Sequence, residues 1–168
     1  ENYGFIKVAA VTPELHLGNV EKNARKIKDC ILELSAKRVS LAVFPELSLC
    51  GYTVGDLTSF DLLLNKCEKS LLEIADFTRN YDMLIFVGCP IRHDGRLYNC
   101  AVAICGGEIL GIVPKTRIPS YDEFSEKRFF APSPDDNTTV NILGNEYPFG
   151  NKLLFENSIL PDFKVGVD

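Results

Sequence analysis

The sequence lacks the patterns that mark several large classes of protein. It has two histidines, His16 and His93, and neither stands in an HExxH or Cys/His spacing. No zinc ligand set is expected, and a Ser-His-Asp triad has little to draw on. No GxGxxG, GxxxxGK[ST] or GxSxG occurs, which excludes the common glycine-rich phosphate cradles and the nucleophile elbow. No apolar run approaches the roughly 18 residues that a membrane span needs. The opening ENYGFIKVAAV has neither the basic region nor the long hydrophobic segment of a secretion signal. Positive charge is also sparse: 18 Lys and Arg against 23 Asp and Glu leave a net charge of -5, and the cations are dispersed rather than gathered into a stripe. Nucleic acid and anionic membrane are therefore not expected partners. The chain reads as soluble and cytoplasmic.

Six cysteines are present, but with no CxxC spacing and mostly inside apolar runs. Reduced thiols packed as small hydrophobes are expected. At 168 residues and 46% hydrophobic, the chain is long and apolar enough for one globular domain with a sizeable core.

The periodicities point to an α/β layered domain. FIKVAAV (5–11) reads as a strand. From Asn19 to Arg38, Val20, Ala24, Ile27, Ile31 and Leu34 recur at helical steps, with Asn19 as the cap. VSLAVF (39–44) reads as a strand buried on both faces, a second helix follows over about 61–79, and MLIFVGC (83–89) is a further apolar strand. Asp94-Gly95 and Gly106-Gly107 divide residues 84–113 into an antiparallel meander, so the sheet is expected to be mixed. Beyond Pro114 a polar segment with Pro119, Pro132 and Pro134 reads as a long functional loop, followed by two short β-like stretches, KLLFE and FKVGV.

Glu46 and Lys115 share one local grammar: an apolar strand, a proline, then a charge, as VFPE and IVPK. Strand ends in α/β domains are where ligands and reacting groups sit. A carboxylate and an ammonium facing one pocket would supply a base and an oxyanion stabiliser. Each is equally readable as the first solvated residue of its loop. Cys50 stands close to Glu46 in sequence and is the nearest candidate thiol, although LSLCGY also reads as simple packing.

VFPELSLCGYTVGDL, RLYNCAV, ILGIVPKTRIPSYDEFSEKRFFAP and the terminal FKVGVD resemble the carbon-nitrogen hydrolase (nitrilase) superfamily over essentially the whole chain. Within it they are most similar to the N-terminal glutaminase domains of glutamine-dependent NAD synthetases. The resemblance implies a nitrilase-like αββα sandwich with mixed sheets, incomplete within residues 1–168. It implies Glu46 as general base, Lys115 as stabiliser of the tetrahedral intermediate, Glu126 as a second glutamate positioning the lysine, and Tyr52 and Tyr121 as walls of a glutamine pocket. The family's nucleophilic cysteine is expected just past Asp168, which none of the six cysteines matches. The implied activity is glutamine hydrolysis through a cysteine thioester, needing no metal or cofactor in this domain. A downstream synthetase domain with ATP, magnesium and deamido-NAD would use the ammonia, and an unfinished sandwich favours a homo-oligomer. Another small-amide amidase and a non-catalytic scaffold remain open at this point.

Overall fold

Three strands joined by two helical crossovers begin the fold, as the computed structural model shows for residues 5–119, 121, 125–158 and 162–167. Strand β1 (Val8–Ala10) pairs in parallel with β2 (Leu41–Val43) across helix α1 (Val20–Ala36), and β2 pairs in parallel with β3 (Leu84–His93) across α2 (Asp61–Phe77). Parallel pairing requires such long connections. Next come β4 (Arg96–Cys105) and β5 (Glu108–Pro114), antiparallel neighbours in a meander. A hairpin of β6 (Thr138–Ile142) and β7 (Asn145–Phe149) completes a seven-stranded mixed sheet ordered β1-β2-β3-β4-β5-β7-β6.

Both helices cover one face of this sheet. Val20, Ala24, Ile27 and Ile31 of α1 join Leu63, Cys67, Leu71 and Ile74 of α2 in one core with Ala42, Ile85, Val87, Val102 and Ile112. Each fully buried aliphatic side chain of this kind contributes about 1.5–3 kcal/mol. The cap forms as the sequence suggests, with Asn19 Oδ1 accepting from Lys22 N at 3.1 Å. The opposite face is thinner. Phe86, Ala103, Val113 and Phe155 pack there, with β8 (Phe155–Glu156) and β9 (Lys164–Val165) forming a separate antiparallel pair. The fold is thus mixed α/β, with one helical layer, one large sheet and the start of a second. No helix among the described residues is long and apolar enough to cross a membrane.

Several expectations shift in detail. Strand β2 is not buried on both faces, because Val43 faces the thin side and is 44% exposed. Strand β3 runs past Cys89 and through Pro90 to His93. The β6–β7 hairpin has no forecast in the sequence. Its two-residue turn is Leu143-Gly144, and both residues take positive φ (47° and 91°), as a type I′ turn demands. Asp94-Gly95 and Gly106-Gly107 do the same with residues better suited to it, which is why those two were legible.

The turn after β2 is seated on β3. Leu47 takes a left-handed φ of 51°, unusual for a buried branched residue, and Gly51 N donates to its carbonyl at 2.7 Å. Ser48 Oγ accepts from Gly88 N at 3.1 Å, and Leu49 N donates to Gly88 O at 3.1 Å. Buried Asn23 on α1 holds the far side, donating from Nδ2 to Leu49 O at 3.0 Å. A Cβ on Gly88 would collide with Leu47 N and Pro45 O and lie 2.8 Å from Glu46 C. Only a glycine lets this turn approach. Gly88→Ala is expected to cost about 2 kcal/mol or more in urea unfolding. A loss under about 0.5 kcal/mol would show that the turn has slack.

Candidate active site

The sheet brings its strand ends together where the sequence places its charges. Phe44 N donates to Phe86 O at 2.9 Å, which carries the chain into Pro45 and leaves Glu46 at the lip of β3. Proline at 114 ends β5, and Lys115 N donates back to Asn99 O at 2.8 Å. Lys115 Nζ then donates to Glu46 Oε1 at 2.6 Å. The same ammonium reaches Glu126 Oε1 and Oε2 at 3.0 and 3.1 Å. Glu126 opens a short 3-10 turn, Glu126–Arg128, whose following amides of Phe129 and Phe130 donate to the Glu126 carbonyl.

Burial separates the two carboxylates. Glu126 is 5% exposed, so its charge would be costly without partners. It has them: Lys115 on one side and Tyr52 on the other, whose hydroxyl donates to Oε1 at 2.5 Å. Glu46 is the accessible member, its side chain 38% exposed on a cleft of about 280 Å³ also lined by Phe86, Gly88, Asn99, Val113 and Lys115. An ammonium has three protons. If the two contacts to Glu126 share one proton, a third is available to an oxygen entering the cleft.

Burial draws the Lys115 ammonium toward a lower pKa, but its hydrogen bonds to Glu46 and Glu126 outweigh that, and the net shift is upward. The Tyr52 hydroxyl is also pushed up, by burial first and then by its bond to Glu126. It therefore stays a donor at neutral pH.

Sequence reasoning missed Asn99. It is 3% exposed, and its Nδ2 donates to the same Oε1 of Glu46 that Lys115 contacts. Its carbonyl meanwhile fixes the Lys115 backbone, so one residue of β4 registers both charges. The available signal was a lone amide inside the apolar run LYNCAVAIC, since buried polar groups need partners.

Of the five residues singled out in the sequence, Glu46, Lys115 and Glu126 meet directly and Tyr52 joins through Glu126. Tyr52 lines an adjoining hollow of about 350 Å³ with Leu47, Asp56 and Phe129. Tyr121 is 64% exposed and near enough to bear on the ionisation of Tyr52. Residues 120 and 122–124 of the SYDEFSEKRFF stretch lie outside the described residues.

One cysteine, Cys100, contributes to the lining of the Glu46 cleft, and it is 2% exposed. All six are free thiols, and Cys50, Cys67, Cys89 and Cys100 pack in the helix-side core. Contact with Cys67 and burial push the Cys50 thiol far up, and burial does the same to Cys89 and Cys100. Such thiols are inert rather than nucleophilic. Among the described residues no group of three or more His, Cys, Asp or Glu is arranged to hold a metal ion.

The raised pKa of Lys115 sets a pH signature. A pKa higher in the folded than in the unfolded chain stabilises the fold below the ordinary lysine value near 10.5, and that gain disappears as pH rises through the raised value. Lys115→Met is therefore expected to lower the denaturation midpoint by a constant amount between about pH 7 and pH 10, with the gap closing above it. A gap that stays constant into strong alkali would show that the ion pairs contribute nothing to stability.

Comparison with known proteins shows the family and the fold. The family model for carbon-nitrogen hydrolases matches residues 7–167. The glutamine-dependent NAD(+) synthetase of Mycobacterium bovis is 39% identical over 166 residues, 99% of this chain and 24% of that protein. The protein of the same description from Aquifex aeolicus is 39% identical over 133 residues, 79% of this chain and 23% of its own length. The chain thus spans about a quarter of the curated relatives it matches. The crystal structure of a glutamine-dependent NAD(+) synthetase from Cytophaga hutchinsonii superposes with a TM-score of 0.87 at 26% identity, covering 96% of this chain and 27% of that one. An amidase from Nesterenkonia sp., at 18% identity and a TM-score of 0.64 over 84% of this chain and 53% of its own, shares the fold. With its family model matched from residue 7 to residue 167, the chain belongs to the carbon-nitrogen hydrolase family.

Proposed function

We propose that residues 1–168 are part of the glutaminase domain of a glutamine-dependent NAD synthetase. The observation that carries this is Lys115 Nζ bridging Glu46 and Glu126 at 2.6 and 3.0 Å beside a small cleft. The 39% identity to named synthetases supports the choice of glutamine over other amides.

In this reading a cysteine thiol outside the six described here enters the cleft and gives its proton to Glu46. The sulfur attacks the carboxamide carbon, and the oxygen that gains the electron pair is met by the Lys115 ammonium. Glu46 returns the proton to the departing nitrogen, which leaves as ammonia. It then takes a proton from the water that hydrolyses the thioester to glutamate. Glu126 and Tyr52 hold Lys115 in place, and Tyr52 and Tyr121 border the aliphatic part of the substrate. These steps use side chains alone. ATP and magnesium belong, in the same proposal, to a separate synthetase domain where the ammonia amidates deamido-NAD.

Three outcomes test this. The 168-residue chain should release no ammonia from glutamine, whereas the whole gene product should. Release by the short chain would locate the nucleophile among its own cysteines. In the whole protein, Glu46→Gln should reduce glutamine-dependent NAD formation by about 10²–10⁴-fold while sparing formation from free ammonia. Equal loss or equal retention of both would remove Glu46 from the chemistry. Asn99→Leu should lower kcat for glutamine by about tenfold or more with KM nearly unchanged, because a loosened base misaligns the reaction without removing a substrate contact. A rise in KM alone would make Asn99 a binding residue instead.

A further inference from the structure

A concavity of about 940 Å³ is distinct from the Glu46 cleft. It lies between the tip of the β3–β4 hairpin and the segments that directly follow Lys115 and Glu126. Five cations line it: Arg92, Arg96, Arg117, Lys127 and Arg128. Its floor is apolar, with Ile118 and Phe130 buried and Phe129 partly so.

Two of the five are already neutralised. Arg92 pairs with Asp61 and donates from Nη2 to Ser59 O at 2.9 Å. Arg128 pairs with Asp56 at 3.0 Å and lies 5.4 Å from the Phe129 ring centre. Arg96, Arg117 and Lys127 are exposed and pair with no carboxylate among the described residues. Three uncompensated positive charges therefore share one hollow in a chain of net charge -5.

That combination selects its ligand. The overall negative field and the rim carboxylates Asp56 and Asp61 oppose a long polyanion, whereas the hollow attracts a compact one. Guanidinium forks match phosphate oxygens two at a time. One phosphomonoester carries about -1.5 to -2 at neutral pH, too little for three cations, so two phosphate units fit the charge better. The volume falls within the range of small-ligand sites, and the apolar floor suits an organic group. We propose that this cleft binds a small organic phosphate with two phosphate units. Its occupant would bridge residues 116–118 and 127–129, the continuations of the strands of chain that bear Lys115 and Glu126. The binding claim does not depend on the glutaminase reading.

Calorimetric titration of the whole gene product with inorganic pyrophosphate at low salt tests it. A saturable site is expected that weakens about tenfold or more in the double variant Arg96→Ser/Lys127→Ser and is unchanged in Lys152→Ser, which lies outside the cleft. Circular dichroism of the variants confirms that these exposed substitutions leave the fold intact. Absence of saturable binding, or equal affinity in the double variant, would overturn the proposal. So would equal affinity for sulfate, which marks a site for any anion. Tighter binding of an acidic peptide than of pyrophosphate would also overturn it, by showing a protein docking surface.

Discussion

One ammonium organises this structure's chemistry. Lys115 stands between a buried carboxylate and an accessible one, and neither arrangement would hold without it. Removing it would leave Glu126 as a nearly unexposed negative charge with only a tyrosine for company. The penalty for such an orphaned charge runs to several kcal/mol. The loop bearing Glu126 is therefore tied to the sheet by electrostatics as much as by packing, through Phe129 and Phe130 below it.

The frame beneath that ammonium was largely legible from residues alone. Helical steps of three and four in 20–34 and the glycine-bearing turns at 94–95 and 106–107 announced α1 and the meander, because hydrophobic period and turn chemistry are local properties. Leu143-Gly144 was not legible, since a leucine at positive φ is imposed by the strands around it. The convergence of Glu46 and Lys115 could be suspected from their shared strand-proline-charge pattern. Their distances could not, because they depend on strand order, with β3 and β4 lying between β2 and β5. Asn99 escaped for the same reason: its function is defined by a neighbour 53 positions away.

Rigidity around Glu46 is achieved at a local cost in backbone freedom. Leu47 is held at positive φ and Gly88 is kept bare so that two backbones can touch. Strain of this kind persists only where surrounding contacts over-determine it, and here Ser48 and Asn23 supply them. The carboxylate that must be precise is therefore anchored through its neighbours, which leaves its own oxygens to Asn99, Lys115 and the cleft.

The meander of β3, β4 and β5 has a further consequence for the order of assembly. Its two-residue loops close with little entropy loss, whereas β1 and β2 must wait for helical crossovers before they pair. Contact order therefore favours early registry of Asn99 and Lys115, with Glu46 joining through the slower parallel half. The ion pair is in this sense a late latch.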